Sequence, residues 1–171
     1  MQSVKIDRFL RLGILALTGV FAFIIYAAIH ERVVAAGDTA PDFNITADNG
    51  QTVSVSHFTG KLLVLNFWAT WCSTCVEETP SLSKFAQDYA GKGVVVLAVS
   101  VDKDEKAYRN FLQKYQPEFL TARELKLHED YGTYQYPETY MIDPKGKVVY
   151  KIPDPADWSD PRLRQVIDSL L

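Results

Sequence analysis

The sequence predicts an α/β protein: a central mixed β-sheet flanked by helices, with an extra N-terminal β-hairpin and, ahead of it, one N-terminal transmembrane helix. Three observations carry this. Lys61–Trp68 and Gly93–Val101 are apolar runs without the alternation of a half-solvated strand, which suits strands covered on both faces, and a helical pattern follows each. Thr139–Asp143 and Lys147–Ile152 flank the turn Asp143-Pro144-Lys145-Gly146 and read as a hairpin. Leu12–Ile29 is an uncharged run of 18 residues, just long enough to cross the hydrocarbon of a bilayer.

The remaining elements fall into order around these. Asp48-Asn49-Gly50 sits between the alternating runs Asn44–Ala47 and Thr52–Val55, and Asn-Gly is a strong hairpin signal. After the first buried run, Leu82, Phe85, Ala86 and Tyr89 recur at helical spacing, and the pattern stops near Gly91. Residues 104–115 form a second amphipathic helix, with Ala107, Tyr108, Phe111, Leu112 and Tyr115 on its apolar side. Asp160–Leu171 closes the chain as a helix. Strand, helix, strand, helix, hairpin and helix together give the mixed sheet.

Of 171 residues, 47% are hydrophobic and 23% charged, which is ordinary for one globular domain. Lys5, Arg8 and Arg11 precede the uncharged run, so the positive-inside rule keeps the N-terminus in the cytoplasm and exports the chain beyond His30. The expected organisation is a cytoplasmic tip and anchor over residues 1–32 and a folded domain over 33–171, placed on the outer, periplasmic side of a bacterial cytoplasmic membrane. A cleavable signal peptide ending at Val34-Ala35-Ala36 is the alternative, although the apolar run is long for one and ends several residues earlier. Residues 1–32 hold four basic and two acidic side chains, leaving 14 basic and 19 acidic, a net of −5, on residues 33–171, against −3 for the whole chain. Nucleic acid is not an expected partner.

Trp71-Cys72-Ser73-Thr74-Cys75 contains both cysteines of the chain, just after the first buried run. Sulfur at a turn into a helix meets the unpaired N–H groups of the first helical turn, which favour thiolate over thiol. A zinc site would need two more ligands, and beyond the N-terminal segment only His57 and His128 remain, neither at zinc-finger spacing. Haem attachment needs His after the second cysteine, where Val76 stands. A structural bridge across so short a loop contributes little to stability. The pair therefore reads as a redox dithiol, with no cofactor and no metal. An exported domain that spends no cysteine on a second bridge reinforces this.

Counted from Cys75, positions 78, 82, 85, 86 and 89 share one helical stripe, and four of the five are apolar or aromatic. Glu78 should therefore point inward, with a raised pKa, where it can exchange a proton with Cys75. Glu77, about 200° round from Cys75, should face water. The alternative is a solvated Glu78, should Pro80 kink the helix and rotate its register.

Asn66-Phe67-Trp68-Ala69-Thr70-Trp71-Cys72-Ser73-Thr74-Cys75, then Glu78 and Pro80, then Tyr136-Pro137-Glu138-Thr139-Tyr140-Met141-Ile142-Asp143, with Gly37-Asp38-Thr39-Ala40-Pro41-Asp42-Phe43 at the start, resemble the TlpA/ResA-like branch of membrane-anchored thioredoxin-like proteins. The likeness spans residues 37–171 and implies a thioredoxin fold. It implies that Cys72 is an exposed attacking thiol, Cys75 the resolving one, and Glu78 a proton carrier. Pro137 would be a cis-proline facing the pair, with the Tyr136 backbone pairing with an extended substrate; Trp71, from its place beside the cysteines, is expected at the rim of the site. Ser73 and Thr74, the intervening dipeptide, would tune the thiolate pKa and the potential. Asn66 stands where ordinary thioredoxins carry a buried aspartate, so proton handling passes to Glu78.

The implied activity is a thiol-disulfide oxidoreductase that reduces disulfides in exported proteins. The implied substrate is the Cys-x-x-Cys-His segment of apocytochrome c, with electrons from a membrane thiol carrier of the CcdA/DsbD type. A dithiol oxidant is the alternative within the same chemistry. A thiol peroxidase shares the Ala40-Pro41-Asp42-Phe43 opening, but such chains place threonine three residues before the reactive cysteine, and Thr70 is two before Cys72. A binding module with an incidental dithiol is the reading from another class. Trp68 is expected to wall the site. Tyr131, Tyr134, Tyr136 and Tyr140 are expected either as a peptide-binding rim or as core, and Asp154, Asp157 and Asp160 as loop and cap residues.

Overall fold

A computed structural model describes the backbone of residues 2–29 and 33–171 and the side chains of residues 11–26 and 33–171. The chain divides into two compact units, Met1–Arg32 and Val33–Leu171. The first contains helix α1, Gln2–Ile29. Among the described residues no helix is long and apolar enough to cross a membrane. The anticipated span Leu12–Ile29 and the basic residues before it lie only partly within the described side chains, and the junction at residues 30–32 lies outside them.

The second unit is built on a five-stranded sheet: β3 (Leu62–Trp68), β4 (Val94–Ser100), β5 (Leu120–Arg123), β6 (Glu138–Ile142) and β7 (Val148–Ile152). Their spatial order is β5-β4-β3-β6-β7; β3, β4 and β5 are mutually parallel, β6 runs antiparallel to β3, and β7 antiparallel to β6. This is the mixed sheet the sequence predicts, and the central strand is the first apolar run. All seven residues of β3 are buried. Its odd positions, Leu63, Leu65 and Phe67, join a core with Phe43, Phe58, Tyr131 and Tyr140. Leu62 and Val64 point the other way, onto Leu82, Phe85 and Tyr89 of helix α2 (Ser73–Tyr89) and Ile167 of helix α5 (Pro161–Asp168).

Helix α3 (Glu105–Tyr115) is capped by Asp104, whose carboxylate accepts the N–H groups of Lys106 and Ala107. It buries Tyr108 and Phe111 against Trp68, with ring centroids 6.0 and 4.5 Å away. Asp160 caps α5, and the Asp157 carboxylate accepts the backbone N–H of Ser159, so both acids are the loop and cap residues expected.

The expected N-terminal hairpin is present but short, pairing β1 (Ile45–Thr46) with β2 (Thr52–Val53) around Gly50 at φ 82°. Val55, the last residue of the expected second run, instead opens a 3-10 helix, Val55–Phe58, whose Phe58 joins the core under β3. Three elements escaped the sequence reading: this turn, the short helix α4 (Leu127–Asp130) and the edge strand β5. Four residues carry too little periodicity to register, and β5 exists because the α3 crossover returns the chain to the edge of β4.

Asp48 ties the hairpin to the body. It accepts hydrogen bonds from Tyr108 Oη, Thr121 Oγ1 at 2.8 Å and Arg109 at 2.5 Å. Replacing Asp48 with Ala leaves the fully buried Tyr108 hydroxyl without its acceptor. We expect Asp48→Ala to lower stability by about 2–3 kcal/mol in urea denaturation. A loss below about 0.5 kcal/mol would show that the Asp48 carboxylate does not hold the hairpin, leaving the Asp48 backbone N–H, bonded to the Thr121 carbonyl at 2.8 Å, and apolar contacts to do so.

Candidate active site

The site lies where β3 hands over to α2. Strand β3 ends at Trp68, and Asp102, itself buried at the end of β4, seizes the turn: its carboxylate accepts the Thr70 N–H at 2.9 Å and the Thr70 hydroxyl at 2.6 Å. The Ser100 hydroxyl steadies the same carboxylate at 2.6 Å. Four residues after Trp68, Cys72 becomes the N-cap of α2, in extended conformation, with its sulfur accepting the Cys75 N–H at 3.2 Å. A sulfur in the cap position receives the positive end of the helix, and the first turn contains no acidic residue to oppose it.

Cys72 and Cys75 are joined in a disulfide. The resemblance implied an exposed Cys72, yet only 8% of it is accessible, against 4% for Cys75. The cause is the loop before β6: the Tyr136 carbonyl oxygen lies 3.4 Å from the Cys72 sulfur, and Pro137 is buried beside it. In the disulfide this is a contact; in the dithiol form the Cys72 S–H can donate to that carbonyl. The Tyr136-Pro137 peptide bond is cis. Thr74 holds its hydroxyl 3.4 Å from the Cys72 sulfur, where it can donate to a thiolate, while Ser73 opens the helix and faces water.

Trp71 is 67% exposed and meets Tyr136 edge-on at 5.7 Å. Tyr136 continues to His128, whose Nδ1 is 3.1 Å from the tyrosine oxygen, and His128 to the exposed Tyr134. The aromatic-rich stretch therefore divides. Tyr134 and Tyr136 form a rim with Trp71, whereas Tyr131 and Tyr140 are fully buried core. Trp68 is the expected wall. Below the rim, Glu138 is buried next to Pro137 and paired with Lys151 at 2.9 Å, also accepting the hydroxyls of Thr133 and Tyr140. A fully paired buried carboxylate holds the loop that faces the cysteines.

Glu78 points inward as the spacing predicts, and Glu77 is exposed. Helix α2 passes through Pro80 without losing register, so Cys75, Glu78, Leu82, Phe85 and Tyr89 share the buried stripe. Glu78 Oε1 accepts the indole N–H of Trp158 at 2.5 Å, and the buried Oε2 has no hydrogen-bond partner. Burial pushes this carboxyl from its ordinary 4.5 up to about 7, although the Trp158 indole and the Ala156 backbone N–H pull the other way. Cys75, Glu78, Asn66 and Pro137 line one small cavity of about 10 Å³. Asn66 itself donates to the Thr139 hydroxyl at 2.9 Å, so it is spent structurally.

Two participants had no signal in the sequence. Trp158 reaches Glu78 across 80 positions, and Asp102 reaches Thr70 across 32, and neither spacing belongs to a local motif. Among the described residues no group of three or more His, Cys, Asp or Glu side chains could hold a metal ion.

A disulfide capping a helix in this sheet order, beside a buried carboxyl and an X-Pro loop, defines a thioredoxin-like thiol-disulfide oxidoreductase. The Redoxin family matches residues 35–167. The chain is 32% identical over 143 residues to the thiol-disulfide oxidoreductase ResA of Bacillus cereus, covering 81% of this chain and 83% of that one, and 32% identical over 146 residues to ResA of Bacillus subtilis, covering 82% of each. It belongs to the Redoxin family and, within it, to the thiol-disulfide oxidoreductases of the ResA type. Among solved structures, a Chlorobium tepidum chain assigned as thiol:disulfide interchange protein DsbE superposes with TM-score 0.72 at 32% identity, over 81% of this chain and 99% of that one. The exposed lipoprotein thioredoxin Etrx1 of Streptococcus pneumoniae gives 0.66 at 29% identity, over 76% and 100%.

The raised acid has a thermodynamic consequence. Between pH 4.5 and about 7 the native state holds a proton that the unfolded chain has released, so this group's contribution to stability falls as pH rises through that window. Gln at position 78 keeps an acceptor for Trp158 and carries no charge. We expect Glu78→Gln to stabilise the oxidised protein by about 2–3 kcal/mol at pH 8 and to leave it unchanged below pH 4. Equal urea midpoints for the two proteins at pH 8 would refute a buried charged carboxyl.

Proposed function

We propose that this protein is an exported, membrane-anchored reductase of protein disulfides, with Cys72 attacking, Cys75 resolving and Glu78 carrying the proton. The carrying observation is the placement of Cys72 as the sulfur cap of α2, with Cys75 and Glu78 behind it on the buried stripe. In the dithiol form, the Cys72 thiolate attacks a substrate disulfide; the Cys72 sulfur bonds to one substrate sulfur and the other leaves as thiolate and takes a proton. Cys75 then gives its proton to the Glu78 carboxylate, and the Cys75 thiolate attacks the Cys72 sulfur. The enzyme disulfide forms, the second substrate thiolate departs and is protonated, and two electrons have passed to the substrate.

An acid that titrates at about 7 is matched to this exchange near neutral pH. The Tyr136 carbonyl beside the attacked sulfur is an acceptor for the backbone N–H of an extended substrate, with Trp71 and Tyr136 as its aromatic rim. Ser73 and Thr74, at the helix start, tune the thiolate.

The anchor rests on the uncharged run Leu12–Ile29 behind Lys5, Arg8 and Arg11, and on the exposed apolar side chains Leu15, Leu17, Phe21 and Phe23 along α1. With that anchor the domain of residues 33–171 lies on the outer side of a bacterial cytoplasmic membrane, in keeping with an exposed lipoprotein among its structural relatives. Electrons must then arrive through the membrane, and a thiol carrier of the CcdA/DsbD type is the fitting donor. Apocytochrome c, with its Cys-x-x-Cys-His segment, is the proposed substrate, as the resemblance of the cysteine, glutamate and proline motifs to the TlpA/ResA-like branch implies.

Replacing Cys75 with Ala removes the resolving thiol, so substrates should accumulate as mixed disulfides on Cys72 of the full-length protein in cells. Mass spectrometry of the adducts is expected to find exported proteins, with Cys-x-x-Cys-His peptides among them. Adducts confined to cytoplasmic proteins would overturn the export assignment. Equilibration with glutathione and dithiothreitol buffers should give a clearly reducing potential, whereas an oxidising one would make the protein a disulfide donor.

A further inference from the structure

Trp158 lies in the loop between β7 and α5, far in sequence from the cysteines, and it is fully buried. Its ring packs on Phe85 of α2 at 4.9 Å. Its backbone is also held, the N–H reaching Ser81 Oγ at 3.4 Å and the carbonyl accepting Arg164 Nε at 2.9 Å. Arg164 in turn pairs with Asp88 of α2 at 3.0 Å. The indole is thus fixed against the redox helix, and its one polar atom meets Glu78 Oε1.

We propose that Trp158 is a positioning residue for the redox reaction, deciding which oxygen of Glu78 exchanges the proton with Cys75. This rests on the reading that Glu78 serves Cys75. An indole N–H only donates, so Oε1 must accept in both protonation states of the carboxyl. A proton on Glu78 is therefore confined to Oε2, the oxygen with no partner. Glu78 and Cys75 line the same cavity, so the labile proton and the resolving sulfur share one small enclosed space. In the resolving step the Cys75 S–H gives up its proton, the Cys75 thiolate remains, and Oε2 becomes O–H. In the reverse step Oε2 returns it. Without the indole that confinement of the proton is lost, and the carboxylate loses a donor that holds its charge.

Phe keeps an aromatic six-membered ring at position 158 and lacks both the indole N–H and the fused five-membered ring, so the Glu78→Gln background serves as the control for lost packing. In full-length protein, the pH profile for reduction of a peptide disulfide should shift its Glu78-dependent arm upward by about one pH unit in Trp158→Phe, roughly tenfold in rate at a fixed pH on that arm. In the Glu78→Gln background the same change should shift nothing. A Trp158→Phe profile superposing on the parent, while Glu78→Gln alters it, would overturn the role of Trp158 and leave that of Glu78 standing. A profile unaltered by Glu78→Gln would instead remove Glu78 itself. Should Trp158→Phe not fold, the indole N–H resonance of the parent decides: it is expected to titrate near pH 7 and to lose that titration in Glu78→Gln. A resonance insensitive to pH, or one that still titrates in Glu78→Gln, would refute the coupling.

Discussion

The chemistry of this protein depends on one junction, where a strand buried along its whole length ends and a helix begins with sulfur as its cap. Strand β3 is pinned by β4 on one side and β6 on the other, so its end has a fixed position. The turn leaving it is pinned again by Asp102, which binds both polar groups of Thr70. Cys72 therefore arrives at the helix N-terminus with little freedom. A thiolate there gains from the helix without any reorganisation of the protein at the moment of reaction.

The two sulfur atoms occupy different surroundings because a helix places every third or fourth residue on one side. Cys72 faces the loop that carries Tyr136 and the aromatic rim, while Cys75 faces the interior with Glu78. The outer side has a backbone carbonyl and ring edges to offer an extended chain. On the inner side sits a carboxyl whose charge is disfavoured by burial. The sulfur beside the aromatic rim and the carboxyl able to take up a proton are thus set apart across a single turn of helix.

Burying an acid is costly unless something is gained from it. Here the cost is visible as a carboxyl raised to about 7 with one oxygen unpartnered, in a helix otherwise apolar on that side. The buried Glu138 contrasts with it: its partners are Lys151, Thr133 and Tyr140, and it braces the loop that carries Tyr136 and Pro137. Two buried glutamates on one protein do opposite work because one is fully paired and the other is left partly free.

Elements whose signals are local were legible in the order of residues along the chain. Apolar runs set β3 and β4, Asn49-Gly50 set the hairpin turn, and 3.6-residue spacing aimed Glu78 inward, a direction Pro80 did not disturb. The two-residue gap between the cysteines declared their chemistry. Tertiary structure alone decided what depends on distant residues meeting. Trp158 came to Glu78 only because α5 folds back onto α2, the loop of Tyr136 and Pro137 closed over Cys72 only because β6 pairs with β3, and the edge strand β5 formed only once β4 was there to receive it. Local periodicity records which face a side chain turns to the core, but nothing in a residue's neighbours along the chain records which partner waits there.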